Sequence, residues 1–104
     1  MSPQQLKDWM DDASRTAPVL LDVREPWEFS TCHIANSVSM PMQSVPARMQ
    51  ELAPEARHVV ICHHGARSMQ AALFLARQGF ARVHNLAGGM DAWARSIDPS
   101  MAVY

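Results

Sequence analysis

The chain has 104 residues, of which 48% are apolar, and this is enough for one small domain with a hydrophobic core. Nine basic residues against ten acidic ones leave a formal charge of -1, so no overall field attracts nucleic acid or an anionic membrane. No apolar run approaches the roughly 20 residues that span a bilayer, and the start of the chain lacks a signal pattern. We expect a single cytoplasmic domain over residues 1–104, with both cysteines reduced.

The first half of the chain predicts helical segments and two strands. A Ser-Pro-x-Gln start, which combines a capping box with a proline in the first turn, predicts a helix at residues 3–13. The aliphatic run at residues 19–23 is typical of a buried strand. One helical turn is expected at residues 26–29, and a short strand at residues 38–40.

The second half repeats this alternation. A helix is expected at residues 44–52, a buried strand at 58–62, a helix at 67–78, a strand at 82–86 and a short helix at 90–96. The apolar residues of the third of these elements share one helix face, formed by Met69, Ala72, Leu73 and Ala76. Strands that alternate with helices predict an α/β domain with a mainly parallel sheet.

The loop after the strand at residues 58–62 carries the strongest chemical signal. Cys62 stands where a strand of a parallel sheet feeds a helix, which is where ligand sites form in such folds. Gly65 and the small Ala66 let the loop curl, so that several amides point inward and bind an anion. A thiol at a helix N-terminus beside a guanidinium has a lowered pKa, so Cys62 next to Arg67 is predicted to be a thiolate nucleophile.

Two residues of this loop keep alternative roles. Ser68 either caps the following helix or donates its hydroxyl group into the anion site. Arg67 either faces the ligand or ties the loop to a carboxylate. His63 and His64 are interpreted as loop residues that face solvent or tune access of the substrate.

Three further positions stand outside the loop. Asp22 and Arg24 flank one residue at a strand end, so alternation sends both side chains to one side, where they are expected to order neighbouring loops. Cys32 could resolve an oxidised Cys62 as a disulfide, but nothing in the spacing places the two sulfurs within bonding range. No metal site is expected, because the five histidines lack the paired spacing of metal ligands.

Three segments together resemble the rhodanese family of sulfurtransferases over about residues 20–93. They are the first strand with its charged end at residues 21–29, followed by His33 and Ile34, then the loop at residues 62–68, and the Gly-Gly segment at residues 85–93. Cys32 stands where that family usually has glycine. The resemblance implies a five-stranded parallel sheet with helices on both faces.

The resemblance also implies a reaction. Cys62 would take sulfane sulfur from a donor and pass it on as a persulfide, without a metal or an organic cofactor. The loop amides from His63 through His64, Gly65, Ala66 and Arg67 to Ser68 would hold the terminal sulfur. Arg67 would help to bind an anionic donor such as thiosulfate, and the acceptor would be cyanide or a thiol, including a thiol on a protein.

The sequence leaves two other functions open. One is a sulfur-relay or partner-binding module that docks another protein and carries the persulfide as cargo. The other is a cysteine-dependent phosphatase or an arsenate reductase. Four residues separate Cys62 from Arg67, whereas related phosphatases have a loop one residue longer, so the phosphatase is the weaker interpretation.

Overall fold

Four parallel strands form the sheet of this protein, whose computed structural model describes residues 1–102. The strands are β1 (Val19–Asp22), β2 (Val38–Ser39), β3 (His58–Ile61) and β4 (Val83–Asn85). Their order in the sheet is β2-β1-β3-β4, so β1 pairs with β2 and β3, and β3 also pairs with β4. These are the four strands that the sequence pattern predicts, each with slightly tighter bounds. The predicted α/β class and the parallel sheet are confirmed.

The fifth strand that the family resemblance implied is not formed within residues 1–102, so that expectation is wrong for the described part of the chain. No segment of the sequence had predicted it independently. At the outer edge of β4 the amino group of Met1 donates to the carbonyl oxygen of Asn85 at 2.9 Å, and the carbonyl oxygen of Met1 accepts from the amide of Ala87 at 2.8 Å. A single residue therefore lies where a fifth strand would pair.

The helices connect and flank the strands. The first of them shows the predicted capping box, and it ends before residue 13 because the carboxylate of Asp12 accepts from the amide of Ser14 at 2.9 Å and from its hydroxyl at 2.6 Å. None of the described helices is long and apolar enough to cross a bilayer. Their bounds are α1 Pro3–Asp11, α2 Pro26–Thr31, α3 Val45–Arg48 between two 3₁₀ turns (Met42–Ser44 and Met49–Glu51), α4 Ala66–Arg77 and α5 Gly89–Ser96.

Two apolar clusters cover the two faces of the sheet, because successive strand residues point to opposite sides. One cluster joins α1 and α5 to one face, and its buried members include Leu6, Trp93, Leu20, Val59 and Ile61. The other joins α3 and α4 to the opposite face, and its buried members include Val45, Leu75, Leu21, Val60 and Cys62. Helices therefore cover both faces, as predicted.

Helix α4 is rotated relative to the predicted apolar face. Met69 and Leu73 are 47% and 51% exposed, whereas Ser68, Ala71, Ala72 and Leu75 are buried. The prediction is confirmed for Ala72 and wrong for Met69, Leu73 and Ala76, which are exposed. Ser68 turns toward Cys62, and the positions three, four and seven residues later follow it onto the sheet.

Candidate active site

The carboxyl ends of three neighbouring strands meet at one edge of the sheet. Cys62 directly follows β3, Arg24 lies just beyond β1, and Asn85 is the last residue of β4. Because the strands are parallel, these side chains come from distant parts of the sequence to one place. The site is assembled from this edge and from the first turn of α4.

The thiol of Cys62 is almost fully buried, at 1% exposure, and lies inside its own loop. Its sulfur accepts hydrogen bonds from the amide of Gly65 at 3.0 Å and from the hydroxyl of Ser68 at 3.2 Å. Gly65 has a φ of +107°, a left-handed conformation that favours glycine and lets the loop turn into α4. The loop therefore surrounds the sulfur with hydrogen-bond donors.

The pKa of the Cys62 thiol results from two opposing effects. Burial raises the pKa, but hydrogen bonds from the Ser68 side chain and from the amides of Ser68, Gly65 and His64 together lower it below its ordinary value. The sequence had predicted a lowered pKa with help from a guanidinium. In the structure these hydrogen bonds account for the lowered pKa, and the guanidinium of Arg67 is engaged elsewhere.

Arg67 binds a carboxylate, which is the second of its two predicted alternatives. Its two terminal nitrogens donate to the two carboxylate oxygens of Glu28 at 2.7 and 2.9 Å. Glu28 is buried in α2, and it also accepts from the amide of Glu25 at 2.9 Å in a capping box. The ion pair thus fastens the active loop to α2, while the Arg67 side chain keeps 38% of its surface exposed.

Asn85 connects β4 to the loop, a role that its place in the sequence did not predict. Its side-chain nitrogen donates to the carbonyl oxygen of Gly65 at 3.2 Å, and its side-chain oxygen lies very close to the hydroxyl of Ser68. The single hydroxyl proton of Ser68 serves either Cys62 or Asn85 at any moment. Two signals in the sequence could have pointed to Asn85: it lies near the end of a predicted strand, and it begins the Gly-Gly segment at residues 85–93.

The start of α5 closes the other side of the loop. The amide of Met90 donates to the carbonyl oxygen of Cys62 at 2.8 Å, and the amide of Asp91 donates to that of His63 at 3.0 Å. A Cβ atom at Gly89 would overlap both carbonyl groups, so only glycine permits this approach. This contact explains the Gly-Gly segment that the sequence places after β4.

The two loop histidines differ in environment. His63 is partly buried, and burial followed by the nearby charge of His64 lowers its pKa. His64 is exposed, with its Nε2 atom 3.8 Å from a carboxylate oxygen of Asp91. His63, His64 and Asp91 together offer ligand atoms that all lie within 4.8 Å of one another, so they are the described residues that could hold a metal ion.

Asp22 and Arg24 lie on the same side of the β1 end and pair with each other. The Arg24 guanidinium donates to both carboxylate oxygens of Asp22, at 2.8 and 2.6 Å, and both side chains are buried. It also donates to the carbonyl oxygen of Cys32 at 2.6 Å. Cys32 packs against the cluster under α1 and α5, whereas Cys62 belongs to the cluster on the other face of the sheet.

Comparison with known proteins agrees with this arrangement of sheet and loop. A model of the rhodanese-like domain matches residues 2–96, and the chain belongs to that family. It is similar to a sulfurtransferase of Allochromatium vinosum, with 42% identity over 84 residues, which cover 81% of this chain and 78% of that protein.

A second sequence relative and a solved structure are also similar to this chain. The thiosulfate sulfurtransferase GlpE of Pseudomonas fluorescens is 39% identical over 82 residues, which cover 79% of this chain and 74% of that protein. The crystal structure of a rhodanese-related protein from Thermoplasma volcanium superposes with a TM-score of 0.84 at 30% identity, over 93% of this chain and 91% of that one.

Proposed function

We propose that this protein is a sulfurtransferase that moves sulfane sulfur from thiosulfate or a persulfide donor to a thiol or cyanide through a persulfide on Cys62. The observation that carries the proposal is the sulfur of Cys62, which accepts from the Gly65 amide at 3.0 Å and from the Ser68 hydroxyl at 3.2 Å. These donors stabilise the attacking thiolate, and amides of the same loop would stabilise the terminal sulfur anion of a persulfide. The names of the relatives support the same reaction class.

The reaction divides into two displacements at sulfur. The Cys62 thiolate attacks the outer sulfur of thiosulfate, a new sulfur–sulfur bond forms, and sulfite leaves with the electron pair of the broken bond. An acceptor thiolate or cyanide then attacks the outer sulfur of the persulfide and returns Cys62 as a thiolate. Covalent catalysis of this kind replaces one difficult transfer by two easier ones, and it needs no electron carrier.

Two features of the loop favour sulfur transfer over phosphate or arsenate chemistry. Four residues separate Cys62 from Arg67, one fewer than in the related phosphatases, whose longer loop surrounds a phosphate group. The terminal nitrogens of Arg67 are directed to Glu28, whereas a phosphatase would direct them to the phosphate. A relay module that delivers the persulfide to a partner protein uses the same chemistry and differs in the acceptor.

Mass spectrometry of the intact protein tests the proposal. After incubation with thiosulfate and removal of excess reagent, the wild-type chain should gain the mass of one sulfur atom, and cyanide should remove it as thiocyanate. Cys62→Ser is the matched control and should gain no mass. An unmodified wild-type protein would overturn the proposal. Hydrolysis of p-nitrophenyl phosphate that depends on Cys62 would favour a phosphatase instead.

A further inference from the structure

Two imidazoles and one carboxylate converge beside the active loop and take no part in the sulfur chemistry described above. They belong to His63 and His64, which follow Cys62 directly, and to Asp91 in the first turn of α5. One ligand atom from each lies within 4.8 Å of the other two, and the His64 Nε2 atom is 3.8 Å from the Asp91 carboxylate.

The backbone holds these three residues together. The amide of Asp91 donates to the carbonyl oxygen of His63 at 3.0 Å, and the neighbouring Met90 amide donates to that of Cys62 at 2.8 Å. Gly89 permits this contact because it has no Cβ atom. The two ligand-bearing segments therefore meet in a fixed register, so side-chain rotation alone can complete a site.

The second oxygen of Asp91 has its own partner. The guanidinium of Arg95, one turn later in α5, donates to that oxygen at 3.0 Å. Carboxylates that bind metal ions are commonly oriented by such an outer hydrogen bond. The oxygen that lies toward His64 is the one that would meet the ion.

The distances suit a small transition-metal ion. Ligand atoms bind Zn²⁺ at about 2.0–2.2 Å in a tetrahedral arrangement, so two of them lie roughly 3–4 Å apart. The separation of 3.8 Å between His64 and Asp91 falls in this interval. All the separations are within 4.8 Å, so a small rotation brings the ligand atoms together, and the side chain of His64 is 69% exposed and has room for it.

We propose that His63, His64 and Asp91 form a binding site for one divalent transition-metal ion at the edge of the Cys62 loop. Two imidazole nitrogens and one carboxylate oxygen match the preference of Zn²⁺, Co²⁺ and Ni²⁺, whereas Mg²⁺ and Ca²⁺ prefer oxygen ligands. Three protein ligands leave at least one position for water.

Calorimetric titration of untagged Cys62→Ser protein with Zn²⁺ at pH 7.5 tests the site. The serine variant removes the thiolate that would otherwise bind zinc, and it makes the result independent of the proposed sulfur transfer. We expect one ion per chain, and we expect His64→Ala and Asp91→Asn, each added to this variant, to weaken binding by about tenfold or more. Co²⁺ should give a visible spectrum that either substitution alters.

Two other histidines provide matched controls in the same background. His33 is exposed and contacts the carbonyl oxygen of Phe29, and His84 contacts the guanidinium of Arg57 at 2.7 Å. His33→Ala and His84→Ala should leave Zn²⁺ affinity unchanged. Absence of binding to the Cys62→Ser protein overturns the proposal, as does binding that survives both His64→Ala and Asp91→Asn. Circular dichroism of each variant verifies that it is folded.

Discussion

Two arginines at the same edge of the sheet bind carboxylates in different ways. Arg24 is fully buried and pairs with Asp22, two residues earlier in the chain. Arg67 is 38% exposed and pairs with Glu28, which lies 39 residues away in α2. Both residues of the first pair lie at the end of β1, whereas the second pair joins α4 to α2.

The Arg24–Asp22 ion pair belongs to the core, whereas the Arg67–Glu28 ion pair positions the active loop. Arg24 reaches the carbonyl oxygen of Cys32 and so shapes the segment after α2, with both charges removed from water. Arg67 holds the loop that surrounds Cys62 and remains in contact with solvent. Loss of Arg24 should therefore affect mainly stability, and loss of Arg67 mainly sulfur transfer.

The largest effect is expected from Arg24→Ala. This change leaves the Asp22 carboxylate buried without its partner, and breaking a buried pair costs about 3–5 kcal/mol of unfolding free energy. Urea denaturation followed by circular dichroism measures the loss. Arg95→Ala removes an exposed partner of Asp91 and should cost less than about 1 kcal/mol. Equal losses of unfolding free energy in Arg24→Ala and Arg95→Ala would contradict the conclusion that the buried Arg24–Asp22 pair stabilises the fold more than an exposed pair does.

Arg67→Ala should lower the rate of persulfide formation by about tenfold or more, because the loop loses its attachment to α2. The unfolding free energy should fall by about 1–3 kcal/mol, which is the usual cost of a buried carboxylate that loses a hydrogen-bond partner. Stopped-flow mixing with thiosulfate gives the rate. Arg77→Ala, at the exposed far end of α4, is the control and should keep the wild-type rate. An unchanged rate in folded Arg67→Ala would show that the ion pair is dispensable.

Ser68→Ala should raise the pKa of the Cys62 thiol. The Ser68 hydroxyl stabilises the thiolate and not the thiol, so its loss favours the protonated form. At neutral pH less thiolate is then present, and the profile of iodoacetamide alkylation against pH should move to higher pH. Ser96→Ala, in α5, removes a hydroxyl bonded to the Ala92 carbonyl oxygen and should leave the profile unchanged. An unchanged profile, or one that moves to lower pH, would contradict the assigned hydrogen bond.

The fold could be predicted from the sequence to the level of its elements. Short aliphatic runs at residues 19–23 and 58–62 predict β1 and β3, because a strand that is buried on both faces consists mainly of aliphatic residues. The rotation of α4 could not be predicted, since Ser68 points inward for a polar contact and takes Met69 and Leu73 away from the sheet. The number of strands came from family resemblance and was too high for the described residues.

Within the site, residues of the Cys62 loop could be predicted from the sequence, whereas their partners from other elements could not. Cys62 and Gly65 could be identified because a strand end, a glycine and an arginine stand within one loop. Glu28, Asn85 and Asp91 come from other elements, and their contacts with the loop depend on the packing of α2, β4 and α5 around the sheet. Spacing within one segment carries no information about such partners.

The smallest effect is expected from Cys32→Ser. Cys32 packs against the cluster under α1 and α5, on the face of the sheet opposite the cluster that contains Cys62. Its strongest link to the neighbouring Arg24 uses the backbone carbonyl oxygen at 2.6 Å, whereas its sulfur lies 3.9 Å from that guanidinium, so a serine side chain keeps the main contact. Thiocyanate formation from thiosulfate and cyanide should therefore proceed at the wild-type rate. A strong loss of turnover, with normal stability in urea, would instead assign Cys32 a part in resolving the Cys62 persulfide.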